Sequence, residues 1–599
     1  MIEAQIATQS ESPGRLEAAM AAQLEALGRA GAIRRLKARD PSLWPADAAG
    51  RREIAERLGW LDAPKWLKAH AAEIETFARA VRGDGFEHAV LLGMGGSSLA
   101  PEVLERVAGV APGFLRLAVL DSTDPEAVAR VDETIDYGST LFLVASKSGG
   151  TIETLSHYRF FRARMDAMRP ADAARCFVAI TDAGSPLDRL ASEQGFRHIF
   201  RNPADIGGRY SALSYFGMVP AGLMGQDLGA YGAAATAMAG AALAESGVVG
   251  ESGVVAESAA VNPALRLAAF AAGAALAGAD KLTLLTSSRL RPLGYWIEQL
   301  VAESTGKDGR GIVPVEGEPI GSLSDYGDDR CFVLLRLAGE HGTEHTELAL
   351  ALKSAGHPLV EIDIPDVSAL AGEFLRWEVA TAVAGHVLGL NPFDQPNVQE
   401  SKDRTAAILK SADKTDRGRA SERAAPLVRV GRGVEIYASE AMGSRLGRPK
   451  TPASALDVFL GLAVPGEYLA LLTYIARTEE RETWAARVRR ALRDATRVPV
   501  LHGYGPRFLH SIGQLYKGGP PSGLFLQVTH EPTHDLPIPQ AAWSFGTLEA
   551  AQARGDLEAL DARGKPALRF HLTGDVDAGL AVMAEALTAS VAHSGRRGS

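Results

Sequence analysis

Glu303, opening the segment ESTGK (303–307), stands where a helix should be ending. Tyr295, Trp296, Leu300 and Val301 recur upstream at roughly helical spacing, and Gly306 is a natural stop. A carboxylate in a last turn opposes the helix macrodipole, which disfavours its charged form. That placement suits a proton acceptor with a raised pKa. Gln299 lies one turn earlier on the same face and can share a pocket with it. The competing reading is a solvated glutamate beside Lys307.

Two other segments have the makeup of anion cradles. GMGGSSLAPEVL places Gly93, Gly95 and Gly96 ahead of Ser97 and Ser98, and SKSGGTIETL runs from Ser146 through Lys147, Ser148, Gly149 and Gly150 to Thr151. Free backbone N–H groups at a helix start, with hydroxyl donors beside them, bind phosphate-like anions. Neither segment has the GxxxxGK[ST] order and the first is not GxGxxG, so a nucleotide is not specified. A third segment, GGRYSALS, carries Arg209 behind Gly207 and Gly208, whose missing side chains let backbone approach a ligand closely. Ordinary chain reversal explains one such turn; two hydroxyl-rich junctions favour a phosphorylated small molecule.

These segments need a scaffold, and the apolar runs supply one. HAVLLG (88–93), LRLAVLDS (115–122), TLFLVAS (140–146), RCFVAITD (175–182) and FRHIF (196–200) alternate with amphipathic helical stretches. A second series runs KLTLLTS (281–287), RCFVLLRL (330–337), PLVEIDIP (358–365), EYLALLTYI (467–475), VPVLHGY (498–504), GLFLQVT (523–529) and ALRFHLTG (567–574). The spacing leaves room for a crossover helix between successive runs, which predicts parallel sheets covered on both faces. The expected architecture is α/β, with two doubly wound parallel-sheet domains in three-layer α/β/α form. Residues 1–80 are expected as an N-terminal helical extension, 81–250 as the first domain and 251–599 as the second. A stretch rich in Arg, Lys, Ser, Gly and Ala, about 403–460, reads as an exposed insertion of mobile surface loop.

With 599 residues, 46% hydrophobic and 23% charged, the chain has ordinary globular composition. A formal net charge of −9 argues against general nucleic-acid binding. Cys176 and Cys331 are the only cysteines, which excludes a disulfide framework or a cysteine-rich metal site and suits a reducing compartment. The first twenty residues lack the basic start and apolar core of a secretory signal. The longest uncharged run, 267–279, is too short to span a bilayer and, behind Asn262 and Pro263, reads as a buried helix. A cytoplasmic protein without membrane contact is expected.

Taken together, GMGGSSLAP, SKSGGTIET, GGRYSALS, ESTGK and NPFDQPNVQESK, in that order, resemble the phosphoglucose isomerase family, most closely the isomerase portion of fused transaldolase–isomerase proteins. The resemblance runs from about residue 80 to the C-terminus and implies two sugar-isomerase (SIS) domains. It implies reversible isomerisation of glucose 6-phosphate and fructose 6-phosphate, a step of glycolysis and gluconeogenesis, without cofactor or metal and in a homodimer. Ser97, Ser146, Lys147, Ser148 and Thr151 would then hold the phosphate, Gly208 and Arg209 would lie beside the reacting carbons, and Gln299 would neighbour Glu303, the general base. Gln395 would contact sugar hydroxyls, and Lys402, closing NPFDQPNVQESK, would help open the ring. SKSGGT departs from the family's commoner threonine-rich loop but keeps hydroxyls at Ser148 and Thr151.

In much of the family the catalytic histidine falls between the glutamate and the lysine. That interval here holds His341, His345 and His357 without a convincing motif, whereas HSIGQLYKGG places His510 beyond the lysine. His510 is the choice, since a site depends on spatial convergence and not on chain order; whether it serves its own or a partner's site stays open. Proton transfer between carbons 2 and 1 needs one carboxylate, Glu303, with Arg209 stabilising the enediolate, and ring opening needs a second pair, His510 and Lys402. HGTEH (341–345) and HEPTH (530–534) match zinc motifs in letters, but Gly342 and Pro532 oppose the helix such sites need. The other readings are a non-catalytic sugar-phosphate sensor and an isomerase of mannose 6-phosphate or a related phosphosugar, which pocket shape would separate.

Overall fold

A computed structural model of the chain describes residues 6–244, 262–340, 344–412, 426–431, 433–447 and 449–594. The chain divides into two compact units. The first comprises Met1–Asp121, Ile135–Gly317 and Arg330–Gln395, and the second Ser122–Thr134, Glu318–Asp329 and Pro396–Ser599.

In the first unit, β1 (Thr8–Ser12) is an edge strand of a sheet completed much later in the chain. Five parallel strands follow: β2 (His88–Gly93), β3 (Arg116–Leu120), β4 (Thr140–Ala145), β5 (Phe177–Asp182) and β6 (His198–Asn202). They lie in the order β3-β2-β4-β5-β6. β4 is buried along its whole length, as a strand covered on both faces must be, which is why it reads as an unbroken apolar run. The strand order reverses between β2 and β4, where open α/β sheets bind ligands beyond the strand ends. Gly93 and Ala145 are paired there, so the two hydroxyl-rich loops leave the sheet side by side.

The second sheet of this unit contains β7 (Lys281–Thr286), β8 (Val313–Val315), β9 (Arg330–Leu337) and β10 (Leu359–Ile364), in the order β1-β10-β9-β7-β8. All pairs are parallel except β1 on β10. The helix after β7, Arg291–Thr305, carries Gln299 and Glu303 in the sequence-predicted place, and Gly306 caps it. The N-terminal helices do not stand apart. Trp44 is buried and its indole N–H donates to the Ala382 carbonyl at 2.9 Å, inside the long buried helix Leu370–Leu388.

The second unit holds β11 (Val428–Val430), β12 (Val434–Ala438), β13 (Tyr468–Thr473), β14 (Val500–Tyr504), β15 (Gly523–His530) and β16 (Ala567–Leu572), in the order β11-β12-β16-β15-β13-β14. Two expectations change here. The strands of 251–599 form no single sheet: those up to Ile364 belong to the first unit and those from Val428 to the second. Nor is 403–460 an exposed insertion where it is described. β12 pairs antiparallel with β16, and Ile436, Met442, Leu456 and Phe459 join the buried core beneath that sheet. Residues 413–425, 432 and 448 of that stretch lie outside the described residues.

Candidate active site

The site in the first unit is built where the two sheets' loops meet. Gly96 faces the backbone of Gly208 so closely that a Cβ on it would lie 2.2 Å from the Gly208 oxygen. No other residue type fits at 96, and the contact locks the loop after β2 onto the turn Gly208–Tyr210, with the Ser211 hydroxyl donating to the Gly96 carbonyl at 3.3 Å. The helix Arg291–Thr305 packs on both loops.

In the loop after β4, the Ser146 and Thr151 hydroxyls are 2.9 Å apart, and the Gly149 N–H donates to Ser146 Oγ at 3.1 Å. Gly149 has φ +67°, and a Cβ there would lie 2.6 Å from the Leu187 nitrogen, so this turn also demands glycine. Ser148 is exposed at the tip, accepting from Gly150 N–H at 3.4 Å, and Ser97 is buried at the end of the Gly95–Ser97 turn. Lys147 donates to Asp182 and, at 2.9 Å, to the Ala204 carbonyl. Burial raises the Asp182 carboxyl above its usual range despite that partner.

Arg209, Glu303, Gln299 and Gln395 are brought together. Arg209 and Glu303 are both buried, with Nη1 3.5 Å from Glu303 Oε2. Its other donors are engaged at shorter range: Nε to Ser304 Oγ at 2.8 Å, Nη1 to Gln395 Oε1 at 2.7 Å, and Nη2 to the Pro392 and Asp394 carbonyls at 2.6 and 3.1 Å. A buried guanidinium is stable only when its N–H groups are satisfied in this way. Gln299 is buried one turn before Glu303 on the same helix.

Sequence reasoning missed Lys307. It is not a surface partner of Glu303 but a buried ammonium, donating to the Asn391 and Asp394 carbonyls, each at 2.7 Å, and to Asp394 Oδ1 at 2.6 Å. It thereby clamps the loop whose carbonyls hold Arg209. Burial, and then the neighbouring Arg209 charge, push its pKa down to about 8, against the pull of Asp394 and Glu303. Ser304 was also missed; its hydroxyl meets both Arg209 and Tyr210. Tyr210 is wedged by Trp60, stacked at 5.1 Å, and by Phe393 at 5.4 Å, which fixes the arginine's own turn.

The remaining sequence-predicted residues lie in the second unit. Lys402 is exposed on the helix Pro396–Ala412, and His510 is half-buried at the end of the turn Arg507–His510. Of the zinc-like motifs, 341–343 lie outside the described residues. In HEPTH, Glu531 and His534 are exposed on irregular backbone, not on a helix.

A family model for phosphoglucose isomerase matches residues 45–310, which contain all three glycine-bearing loops and Glu303. A glucose-6-phosphate isomerase of Thermus thermophilus is 32% identical over 330 residues, covering 54% of this chain and 72% of that protein. The chain belongs to the phosphoglucose isomerase family. A glucose-6-phosphate isomerase of Parabacteroides distasonis is 28% identical over 404 residues, 59% of this chain and 87% of that one. Among solved structures, a hypothetical protein from Thermus thermophilus superposes with TM-score 0.55 at 25% identity, covering 67% of this chain and all of that one. A Chlamydia trachomatis glucose-6-phosphate isomerase superposes with TM-score 0.53 at 20% identity, over 69% and 90% of the two chains, a likeness of fold.

Proposed function

We propose that this chain interconverts glucose 6-phosphate and fructose 6-phosphate through a cis-enediol, with Glu303 as the base. The observation that carries the reading is the buried Glu303–Arg209 pair beside two hydroxyl-lined loops at the first sheet's switch point. Glu303 takes the proton from carbon 2 and returns it to carbon 1 on the same face, so it ends each turnover as it began. Arg209 stabilises the negative oxygen that develops between those steps. Its 3.5 Å contact with Glu303 is the longest it makes, and is the one a substrate oxygen can replace at least cost.

Ser97, Ser146, Ser148 and Thr151 are assigned to the phosphate. Two of the three ammonium N–H groups of Lys147 are committed to Asp182 and Ala204, and the third is the one it can offer an anion. Gln299 and Gln395 are assigned to sugar hydroxyls. Lys402 and His510 are assigned to ring opening on their motifs; a homodimer rests on the family resemblance alone, and the particular likeness to the isomerase part of transaldolase fusions on the joint motifs.

The test is a coupled assay, in both directions, with chelator present. Turnover of fructose 6-phosphate is expected. Folded protein that binds the sugar phosphate without converting it would make the chain a sensor.

A further inference from the structure

The third sheet has a switch point of its own. Its parallel strands reverse order between β13 and β15, and His530 is the last residue of β15, at the edge where such sheets take ligands. Two carboxylates from distant parts of the same unit meet it there. His530 Nε2 lies 2.8 Å from Asp124 Oδ2 and 3.6 Å from Glu549 Oε2, and all three side chains are at least 95% buried. Asp124 is rigidly aimed, because its Oδ1 accepts the backbone N–H groups of Glu126 at 2.7 Å and Ala127 at 3.2 Å. Glu549 stands in the first turns of the helix Phe545–Asp561, and its Oε1 is buried without a hydrogen-bond partner.

We propose that Asp124, His530 and Glu549 form a structural site for a divalent transition-metal ion, zinc being the best fit. One imidazole nitrogen and two carboxylates are a donor set zinc accepts, at about 2.0–2.2 Å per bond. Tetrahedral bonds of that length put neighbouring donors roughly 3.3 Å apart; the two separations from His530, 2.8 and 3.6 Å, straddle that value, and the three donor atoms all lie within 4.8 Å of one another. Charge points the same way. A proton on His530 balances one of the two buried carboxylates, whereas a dication balances both and leaves the imidazole neutral. The unpartnered Glu549 Oε1 allows that carboxylate to bind through both oxygens.

The ion would fasten the segment Ser122–Thr134, remote in sequence from its neighbours, to the sheet of its unit. Other ties of that segment include a Thr123–Gln552 hydrogen bond at 2.7 Å, Arg130 Nη1 donating to the Arg477 carbonyl at 2.8 Å, and an Arg481–Glu126 ion pair at 2.8 Å. The ion serves the fold of this unit and no step of the isomerisation. Spacing could not reveal it, since only the first histidine of HEPTH takes part.

The full chain, stripped of metal and titrated with zinc alone, tests the assignment by elemental analysis, calorimetric titration and thermal melting. One zinc per chain is expected, with a melting temperature roughly 5 °C higher at a hundredfold excess over Kd. Glu549→Gln and His530→Gln should each weaken zinc binding by roughly 100-fold or more and abolish that rise, while circular dichroism stays native. Cobalt(II) in place of zinc should show visible ligand-field bands in the wild type that Glu549→Gln lacks. A wild-type chain that takes up no zinc overturns the proposal, as does zinc uptake undiminished in both variants.

Discussion

Lys307→Met would remove the ammonium that holds the loop behind Arg209 while keeping most of its apolar stem. Three acceptors lose a donor: the carbonyls of Asn391 and Asp394 and the Asp394 carboxylate. Hydrogen bonds to a charged group contribute about 1.5–3 kcal/mol each, but three on one nitrogen do not add. Two effects offset the loss. Removing the ammonium ends its repulsion by Arg209, and the Asp394 side chain, 36% exposed, can rehydrate. A net weakening of the loop by about 2 kcal/mol remains, and since that loop supplies three of Arg209's acceptors, kcat/KM should fall roughly 30-fold at pH 7.

The pH dependence separates this cause from general damage. With its pKa held at about 8, the Lys307 clamp is charged below that pH and weakens as pH rises through it. Wild-type kcat/KM should therefore show a decline with an apparent pKa near 8 that Lys307→Met lacks. Stability moves the other way. The same amine in the unfolded chain keeps its proton to about 10.5, so between about 8 and 10.5 the unfolded state binds more protons and this group favours folding as pH rises. Falling activity without falling stability across that window marks release of the clamp. A variant within twofold of wild type at pH 7, or one that keeps the alkaline decline, refutes the reasoning.

Gly149→Ala forces a left-handed turn and a 2.6 Å approach to the Leu187 nitrogen; about 1–3 kcal/mol of strain should raise KM for fructose 6-phosphate roughly tenfold, and an unchanged KM would remove this loop from the phosphate site. Gly96→Ala should separate the loop after β2 from Gly208 and lower kcat/KM at least about tenfold; full activity would show that their contact is dispensable. Arg563, and then Arg404, pull the Glu400 carboxyl down to about 2, so its stabilisation is present above its ordinary 4.5 and is lost as pH falls through about 2. Glu400 is 30% exposed, so Glu400→Gln should cost about 1–2 kcal/mol in denaturant unfolding at pH 7 and less at pH 3; an equal cost at both would contradict the pairing.

Parallel strands buried on both faces were legible because their apolar runs are long and continuous, as in residues 141–145 of β4 and 331–335 of β9. β1, TQSES, carried no such signal; it is a polar edge strand whose place is set by antiparallel pairing with β10. β11 and β12 were hidden by the basic, small-residue composition around them, although Val434 and Ile436 alternate inward around Glu435. Glu303 could be placed because helix period and a stop signal are local. Lys307 could not, because its acceptors lie 84 and 87 residues further on. His530 was dismissed with its motif for the same reason, its carboxylates being at Asp124 and Glu549.

Hydrogen exchange at carbon 2 of the bound sugar tests the central assignment most directly. In deuterium oxide, wild-type protein should place solvent deuterium at that carbon, followed by NMR. Glu303→Gln should still bind the sugar phosphate and show no such incorporation. Exchange at the wild-type rate in that variant would put the base on another residue.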